Sequence, residues 1–489
     1  MKKKKIVIIG SGFSSLAASC YLAKAGFNVQ LLEKNKEIGG RARQKKKNGF
    51  VFDIGPTFYW MPDVFESFFD DFNKKPSDYY QLKRLNPAYQ VYFGENDSIS
   101  ISDSLNEIKN VFENLEPGSG KALDKFMNKA ENNYQIAIED LVYKPGENIL
   151  ELVTPTTISR IDNFFRTIKG QVASYVSNPK LRKIMEFPVL FLGAKPENTP
   201  SFYNFMNYAD FKLGTWHPMG GMYKVVEALT DLAQELGVNI RTDSAIVNIR
   251  VRNNKVEGVE TQEHFYPCDI LLSGADYHHT ESLLPKVNRQ YSEKYWNKKV
   301  FAPSALLFFV GISKKLKNIS HHTLFFDTDF DEHAKTIYDT KKWADKPLFY
   351  ASFPSVTDSN SAPKEKDCGI FLIPIAPDVE DTEAIREKYF NQIIKRFEKI
   401  TGQEILSFIQ FKESYCVNDF KSDYNSYKGN AYGLANTLMQ THVLRPRLRS
   451  KKVSNLFFCG QLTVPGPGVP PSLISGKVVS DLIVKYFRK

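Results

Sequence analysis

The first thirty-three residues leave the N-terminus few choices of fold. Ile6 to Ile9 is a short, apolar, β-branched run and reads as a buried parallel strand. Ser14 to Ala25 carries apolar residues at helical spacing and ends at Gly26, where glycine suits a helix C-cap. Val29 to Glu33 reads as a second strand, which completes a βαβ unit. Gly10 and Gly12 sit at the first strand–helix junction. Gly10 permits the tight turn. Gly12 lets the backbone approach a diphosphate, which the free N–H groups and dipole of a helix N-terminus attract. The third position of this fingerprint holds Ser15, small enough for close helix–strand packing. Glu33 ends the second strand 21 residues after Gly12. There a carboxylate accepts from adenosine ribose hydroxyls and repels a 2′-phosphate, which argues against NADP.

The next segments favour FAD over NAD. Gly39-Gly40-Arg41 pairs two close-approach glycines with a cation for the diphosphate. Gly49 to Thr57 then reads as a strand ending in a tight turn.

The chain has 489 residues, enough for two or three domains. It contains no run of about 18 apolar residues that would span a bilayer. The start of the chain imitates a signal peptide, but Gly10-Ser11-Gly12 interrupts the apolar stretch, and export is rejected. Five dispersed cysteines without a CxxC suggest neither a disulfide framework nor a zinc site, and fit a reducing cytoplasm. The formal charge of +10 is concentrated in Lys2 to Lys5, Lys45 to Lys47 and Arg445 to Lys452. Such clusters suit an anionic membrane surface, at about 1 kcal/mol per lysine, or a solvated face.

Further along, Asp103 to Leu141 and much of 158–192 read as amphipathic helix, and Met222 to Leu236 as a clear one. Val238 to Arg241 reads as a strand. Ala245 to Arg252 and Lys255 to Thr261 form a hairpin turning at Asn253-Asn254. Strand character returns at Ala305 to Val310, Leu348 to Phe353, Ile370 to Ile375 and Asn455 to Cys459, and Ser472 to Phe487 reads as a last helix.

Taken with Phe52 to Thr57, Trp216 to Met222, Ala275-Asp276-Tyr277 and Pro465-Gly466-Pro467-Gly468-Val469-Pro470, the chain resembles the bacterial-type phytoene desaturases, a family of FAD-dependent carotenoid desaturases. The segments Gly10 to Leu16 and Glu33 to Arg41, which also match, are shared with amine oxidases and related flavoproteins. The proline–glycine ending and the Pro-x-Gly-Gly-Met block are more specific. Pro471 departs from the glycine that many relatives place there.

The resemblance implies an α/β fold: a Rossmann-like FAD domain of the glutathione-reductase and amine-oxidase type, a mixed-sheet substrate domain and a helical, membrane-facing lid. It assigns 1–65, 215–285 and 425–489 to a discontinuous FAD domain, 66–120 and 286–424 to the substrate domain, and 121–214 to the lid. The implied cofactor contacts are Gly10, Gly12, Phe13, Ser14, Glu33, Lys34, Gly40, Arg41, Pro56, Thr57, Val247, Gly460, Gly468, Val469 and Pro470. Val247 would lie beside the adenine. The last three would bring a helix start, capped by Ser472, to the flavin edge. Trp60 and Trp216 are expected in a substrate tunnel, and His217 is the one histidine placed near the flavin. The adjacent histidine pairs His278-His279 and His321-His322 read as structural, and no metal is expected.

The implied reaction is desaturation of phytoene towards lycopene by hydride transfer to flavin N5 and loss of a proton, with quinone or oxygen as electron acceptor. A desaturase of a later carotenoid, such as γ-carotene or a 1-hydroxycarotenoid 3,4-desaturase, is the alternative. An amine oxidase and a flavin-free prenyl-binding protein are the others. A cytoplasmic, peripherally membrane-associated protein follows, taking its substrate from an anionic bilayer through the basic, aromatic stretch Ile158 to Leu192, with no nucleic-acid partner.

Overall fold

In the computed structural model, which describes residues 3–139, 141–152 and 166–487, the βαβ unit forms as its sequence dictates. Strands Lys5–Ile9 and Asn28–Leu32 pair in parallel around helix Phe13–Lys24. Distant strands join them: Asn239–Arg241 beside the second, Ile270–Ser273 beside the first, and Leu456–Phe458 outermost. The resulting five-stranded sheet is parallel throughout. Its central strands are buried on both faces, as their unbroken apolar runs require. The final helix, Val469–Phe487, packs on the first so closely that a Cβ on Gly476 would sit 2.6 Å from the Ser14 carbonyl oxygen.

A three-stranded antiparallel sheet lies alongside, and its first hairpin turns at Asn253 and Asn254, both at positive φ (48° and 57°). This is the turn geometry that asparagine tolerates. A larger, seven-stranded mixed sheet holds Ser304–Ile312, His322–Phe325, Phe349–Ser352 and Asp367–Ile375, with Tyr89–Gly94 in parallel against His322–Phe325. Phe50–Asp53 forms the expected strand, but its partner Gln44–Lys47 is a strand the sequence did not announce.

Two expectations need correction, and a third falls partly outside the described residues. Asp103 to Leu141 is two helices, Leu105–Leu115 and Ser119–Glu139, broken by Pro117 and by Gly118 at φ 87°. Ser472 is not a cap: the last helix begins at Val469, and Ser472 lies in its first turn, its N–H and hydroxyl donating to the Gly468 carbonyl. Of the stretch Ile158 to Leu192, the part up to 165, with Arg160, Phe164 and Phe165, lies outside the described residues. The rest is mixed, with Arg166, Ala173, Ser174 and Ser177 exposed and Ile168, Val172, Ile184 and Met185 buried. Phe187 is buried, Lys169 pairs with Asp331 and Lys180 with Asp97.

A buried carboxyl beneath this region offers a stability test. Asp210, in the π-helical turn Ala209–Leu213, accepts from the Tyr89 hydroxyl at 2.7 Å, and burial pushes it up to about 8. A group whose proton is favoured by the fold contributes most below its ordinary pKa of about 4 and loses that contribution as pH rises through the folded value. Asp210→Asn, neutral throughout, is therefore expected to gain stability on the wild type between pH 5 and pH 8, by up to about 1.4 kcal/mol per pH unit. Chemical denaturation at both pH values measures it, and a constant difference between the two proteins contradicts the assignment.

Candidate functional site

Two glycine turns meet at the C-terminal end of the parallel sheet, where ligands of such sheets bind. Gly10 lies at φ 88° and its N–H donates to the Leu32 carbonyl at 2.8 Å, which folds the chain back over the strand end. Gly39 and Gly40 are both left-handed (φ 106° and 54°), and a Cβ on Gly40 would approach the Gly12 Cα to 3.2 Å. Glu33 fastens the two turns. Its Oε2 accepts from the Ser11 N–H (2.9 Å) and hydroxyl (2.6 Å), and Oε1 accepts from the Asn35 N–H (2.8 Å). Ser11 in turn receives the Gly39 N–H at 3.1 Å. The carboxylate thus has a structural task before any ribose arrives.

Three features make this cradle fit a diphosphate. A Cβ on Gly12 would meet nothing within 4 Å. The helix that starts at Phe13 has no side-chain capping bond, so its first N–H groups are open to an anion. The Arg41 guanidinium is enclosed, lies 5.0 Å from the Tyr424 ring centroid, and keeps an unpartnered Nε. It donates only to neutral acceptors, the Ser426 hydroxyl (3.1 Å) and the Asn430 carbonyl (3.3 Å), and burial lowers its pKa. A buried cation without a carboxylate is costly until an anion joins it.

The cradle opens into a cavity of about 1010 Å³, at the top of the range of about 300–1,000 Å³ for small-molecule sites. Gly10, Gly12, Phe13, Ser14, Glu33, Lys34, Gly40, Arg41, Pro56, Thr57, Gly460, Gly468, Val469 and Pro470 all line it, as does Trp60. The Trp60 Nε1–H is satisfied by the Thr215 hydroxyl at 2.7 Å, which leaves the indole as an apolar wall. Beyond Phe58 and Trp60 the walls become apolar, with Phe187, Met206, Phe326 and Leu348 among them.

Three expected residues lie elsewhere. Val247 is about half exposed and its N–H is taken by the Glu260 carbonyl at 2.8 Å; Ala245 and Ile246 line the cavity instead. Trp216 and His217 sit on a short strand paired with Leu82–Arg84. Neither lines the cavity: Trp216 donates to the Leu213 carbonyl and carries Arg84 on its face. His217 is buried 3.8 Å from the Asp358 carboxylate, which it holds down at about 2, and against His321 (4.6 Å between rings).

The structure also supplies residues that no motif indicated. Arg445, counted by sequence within a basic surface cluster, is buried, and burial pushes it down to about 10. It donates to the carbonyls of Thr463 (2.8 Å), Gln461 (2.8 Å), Gln440 (3.1 Å) and Leu434 (3.3 Å) and to the Asn436 side chain (2.6 Å). It thereby shapes the loop that carries Gln461 and Val464 to the cavity. Among the described residues no cluster could hold a metal ion.

The sequence model of the family described as flavin containing amine oxidoreductase matches residues 13–484. The chain belongs to that family. Within it, the chain is 39% identical to a carotenoid 3,4-desaturase of Haloarcula japonica over 98% of both chains. It is 30% identical to a 4,4′-diapophytoene desaturase (4,4′-diaponeurosporene-forming) of Staphylococcus haemolyticus, again over 98% of both. In fold it is similar to an oxidoreductase from Methanosarcina mazei (TM-score 0.65, 16% identity, 98% of this chain and 100% of the other). A redesigned putrescine oxidase is comparable (TM-score 0.64, 12% identity, 99% of both). The comparisons support FAD as the cofactor, the open Gly12 turn and the Arg41 guanidinium fit its diphosphate, and the carotenoid-desaturase resemblance of the sequence stands. Its narrower expectation, phytoene, finds no counterpart among these relatives.

Proposed function

We propose that this flavoenzyme desaturates a carotenoid at a bond near the end of the polyene, the 3,4 position, rather than phytoene. The observation that carries a long apolar substrate is the continuity of the cavity: one space runs from the glycine cradle past Thr57 and Trp60 into walls of Phe, Met and Leu. The 3,4 position draws support from the higher identity to the Haloarcula enzyme, 39% against 30%. A flavin-free prenyl carrier would have no use for the open Gly12 turn and the enclosed Arg41.

When bound, FAD supplies the two-electron acceptor of the dehydrogenation. The protein's part is to anchor, orient and keep dry. The helix start at Phe13 and the Arg41 guanidinium take the diphosphate. Phe58, Trp60 and Phe187 exclude water from the carbons that lose hydrogen. Quinone or oxygen is the proposed final acceptor. Residues 1–65, 215–285 and 425–489 form the proposed FAD unit, with 121–214 as the lid.

Among the described residues no helix is long and apolar enough to cross a membrane. The proposed membrane contact is the cavity rim. Leu444 and His442 line the cavity and Leu444 is exposed, Leu150 and Met439 are exposed on the short turns Ile149–Leu152 and Leu438–Gln440, and Arg447, Arg449, Lys451 and Lys452 gather beside Glu147. Apolar side chains flanked by cations suit an anionic interface.

The test is incubation of the purified holoenzyme with liposomes carrying either phytoene or an already conjugated acyclic or monocyclic carotenoid, with and without anionic lipid. The conjugated substrate is expected to gain a double bond, seen as a red-shifted spectrum and a new chromatographic peak, faster on anionic vesicles. Consumption of phytoene with the conjugated substrate untouched would overturn the choice of bond. Peroxide release from amines alone would return the protein to amine oxidation.

A further inference from the structure

Removing two hydrogens from adjacent carbons releases a proton as well as a hydride equivalent, so a dry cavity needs somewhere to put it. The apolar wall contains one hydroxyl tied to a base. Tyr350, on strand Phe349–Ser352, lines the cavity, and its hydroxyl lies 2.6 Å from His322 Nδ1 and 2.8 Å from the Thr57 hydroxyl. The antiparallel pairing of Phe349–Ser352 with His322–Phe325 brings the two rings together across 28 residues of sequence.

His322 is locked. Its ring stacks on Phe58 at 4.0 Å and 11°, and its Nε2 is buried without a hydrogen-bond partner. A proton relay through this pair requires the tautomer with the proton on Nε2, so that Nδ1 accepts from the Tyr350 hydroxyl 2.6 Å away. Around it stand His321 (4.4 Å between rings), whose Nδ1 meets the Thr357 hydroxyl at 2.8 Å, then His217 and, beyond that, Asp358.

The location is set by the chain. Thr57 follows Gly55, whose Cα is pressed so close to Arg41 that a Cβ would lie 2.1 Å from its carbonyl oxygen, and precedes Phe58, which faces Phe187 at 6.1 Å. Thr57 and Tyr350 therefore mark the boundary between the cofactor cradle and the apolar chamber, where the reacting carbons must lie. Of the other cavity histidines, His333 donates from Nε2 to the Pro374 carbonyl and accepts at Nδ1 from the Leu348 N–H. His279 Nε2 meets the Asn425 side-chain amide at 3.0 Å and His442 lies 3.5 Å from the Glu151 carboxylate, both among residues distant in sequence from Thr57 and Tyr350.

We propose that Tyr350 is a catalytic residue that receives the proton lost from the substrate, with His322 as its positioning partner and relay. This rests on the desaturase reading and adds the proton path to it. As the C–H bond breaks, its electron pair becomes the new C=C bond. The proton passes to the Tyr350 oxygen while Tyr350's own proton passes to His322 Nδ1. The hydride equivalent is accounted for by the oxidation that bound FAD supplies. The base need not be strong, because a carbon next to an allylic cation gives up its proton readily; placement in a dry wall decides. Burial lowers the pKa of His322 well below the ordinary imidazole range, so the proton is held briefly and then leaves through Tyr350 and the Thr57 hydroxyl 2.8 Å away to solvent once the product has gone.

Two measurements test this. The first is steady-state turnover of the holoenzyme on whichever carotenoid it consumes, with Tyr350→Phe and His322→Gln compared at equal flavin content. Tyr350→Phe is expected to lower kcat by about 10²-fold or more, with KM changed little, and His322→Gln by less. Unchanged kcat in Tyr350→Phe, or a rise confined to KM, overturns the assignment while leaving the desaturase reading intact. A wild type that consumes no carotenoid at all removes both. The second is heteronuclear NMR of the histidine ring nitrogens in the flavin-free protein. His322 is expected with Nδ1 unprotonated, and that resonance should shift in Tyr350→Phe. A proton found on Nδ1 points the pair the wrong way and refutes the relay whatever the substrate.

Discussion

Gly12→Val is expected to yield a protein that folds as the wild type does and emerges colourless. Gly12 precedes the first helix in extended backbone, φ −68° and ψ 169°, which any residue adopts, so the substitution strains nothing. The new Cβ also meets no protein atom within 4 Å. Its sole effect is to fill the space where the diphosphate of FAD must approach the helix start. Crowding of that kind costs up to about 3 kcal/mol, or about two orders of magnitude in affinity. Flavin released on denaturation should fall accordingly, and carotenoid turnover with it, while denaturation of the two flavin-free proteins should agree within about 0.5 kcal/mol. Gly55→Ala is the contrast. There the added Cβ would lie 2.1 Å from the Arg41 carbonyl oxygen, so the fold itself must give way. Full flavin retention by Gly12→Val would mean that the cofactor is held somewhere other than this turn.

The difference between those two glycines illustrates what could be read from sequence. The open turn at Gly10 and Gly12, the acidic strand end at Glu33 and the second glycine pair at Gly39 and Gly40 lie within 31 residues, and local spacing alone defines them. Their convergence in one cradle was therefore legible. Val247 failed for a local reason too. The consecutive residues Ser244, Ala245 and Ile246 line the cavity and the wall ends one residue short of Val247, a shift that motif matching does not resolve. His217 and Trp216 failed because pairing with Leu82–Arg84 turns that strand away from the cavity, and no spacing rule predicts a partner some 130 residues distant. Arg445 looked like one cation in a surface cluster. Only tertiary structure shows that its neighbours Arg447 and Arg449 stay near the surface while it turns inward to backbone carbonyls. Tyr350 and His322 carry no motif, and a strand pairing brings them together.

The apolar chamber yields the converse of the Gly12 experiment. Met206→Trp is expected to keep its flavin and lose its substrate. Met206 lines the cavity, is buried, and belongs to Phe205–Tyr208, on the chamber side. The glycine turns, Arg41 and the start of the last helix belong to other segments, so the cradle has no reason to change. An indole in place of a flexible thioether narrows the chamber that an extended polyene must thread. Displacing the reacting carbons by as little as 1 Å is enough to lose about 10²-fold in rate. Flavin content and the flavin absorption spectrum should match the wild type, kcat/KM for the carotenoid should drop by about that factor, and Met206→Ala should not share the loss. Undiminished turnover by Met206→Trp would show that the polyene does not pass this wall. The substrate would then have to reach the cradle from the rim at Leu444 and His442 without entering the chamber beneath the lid.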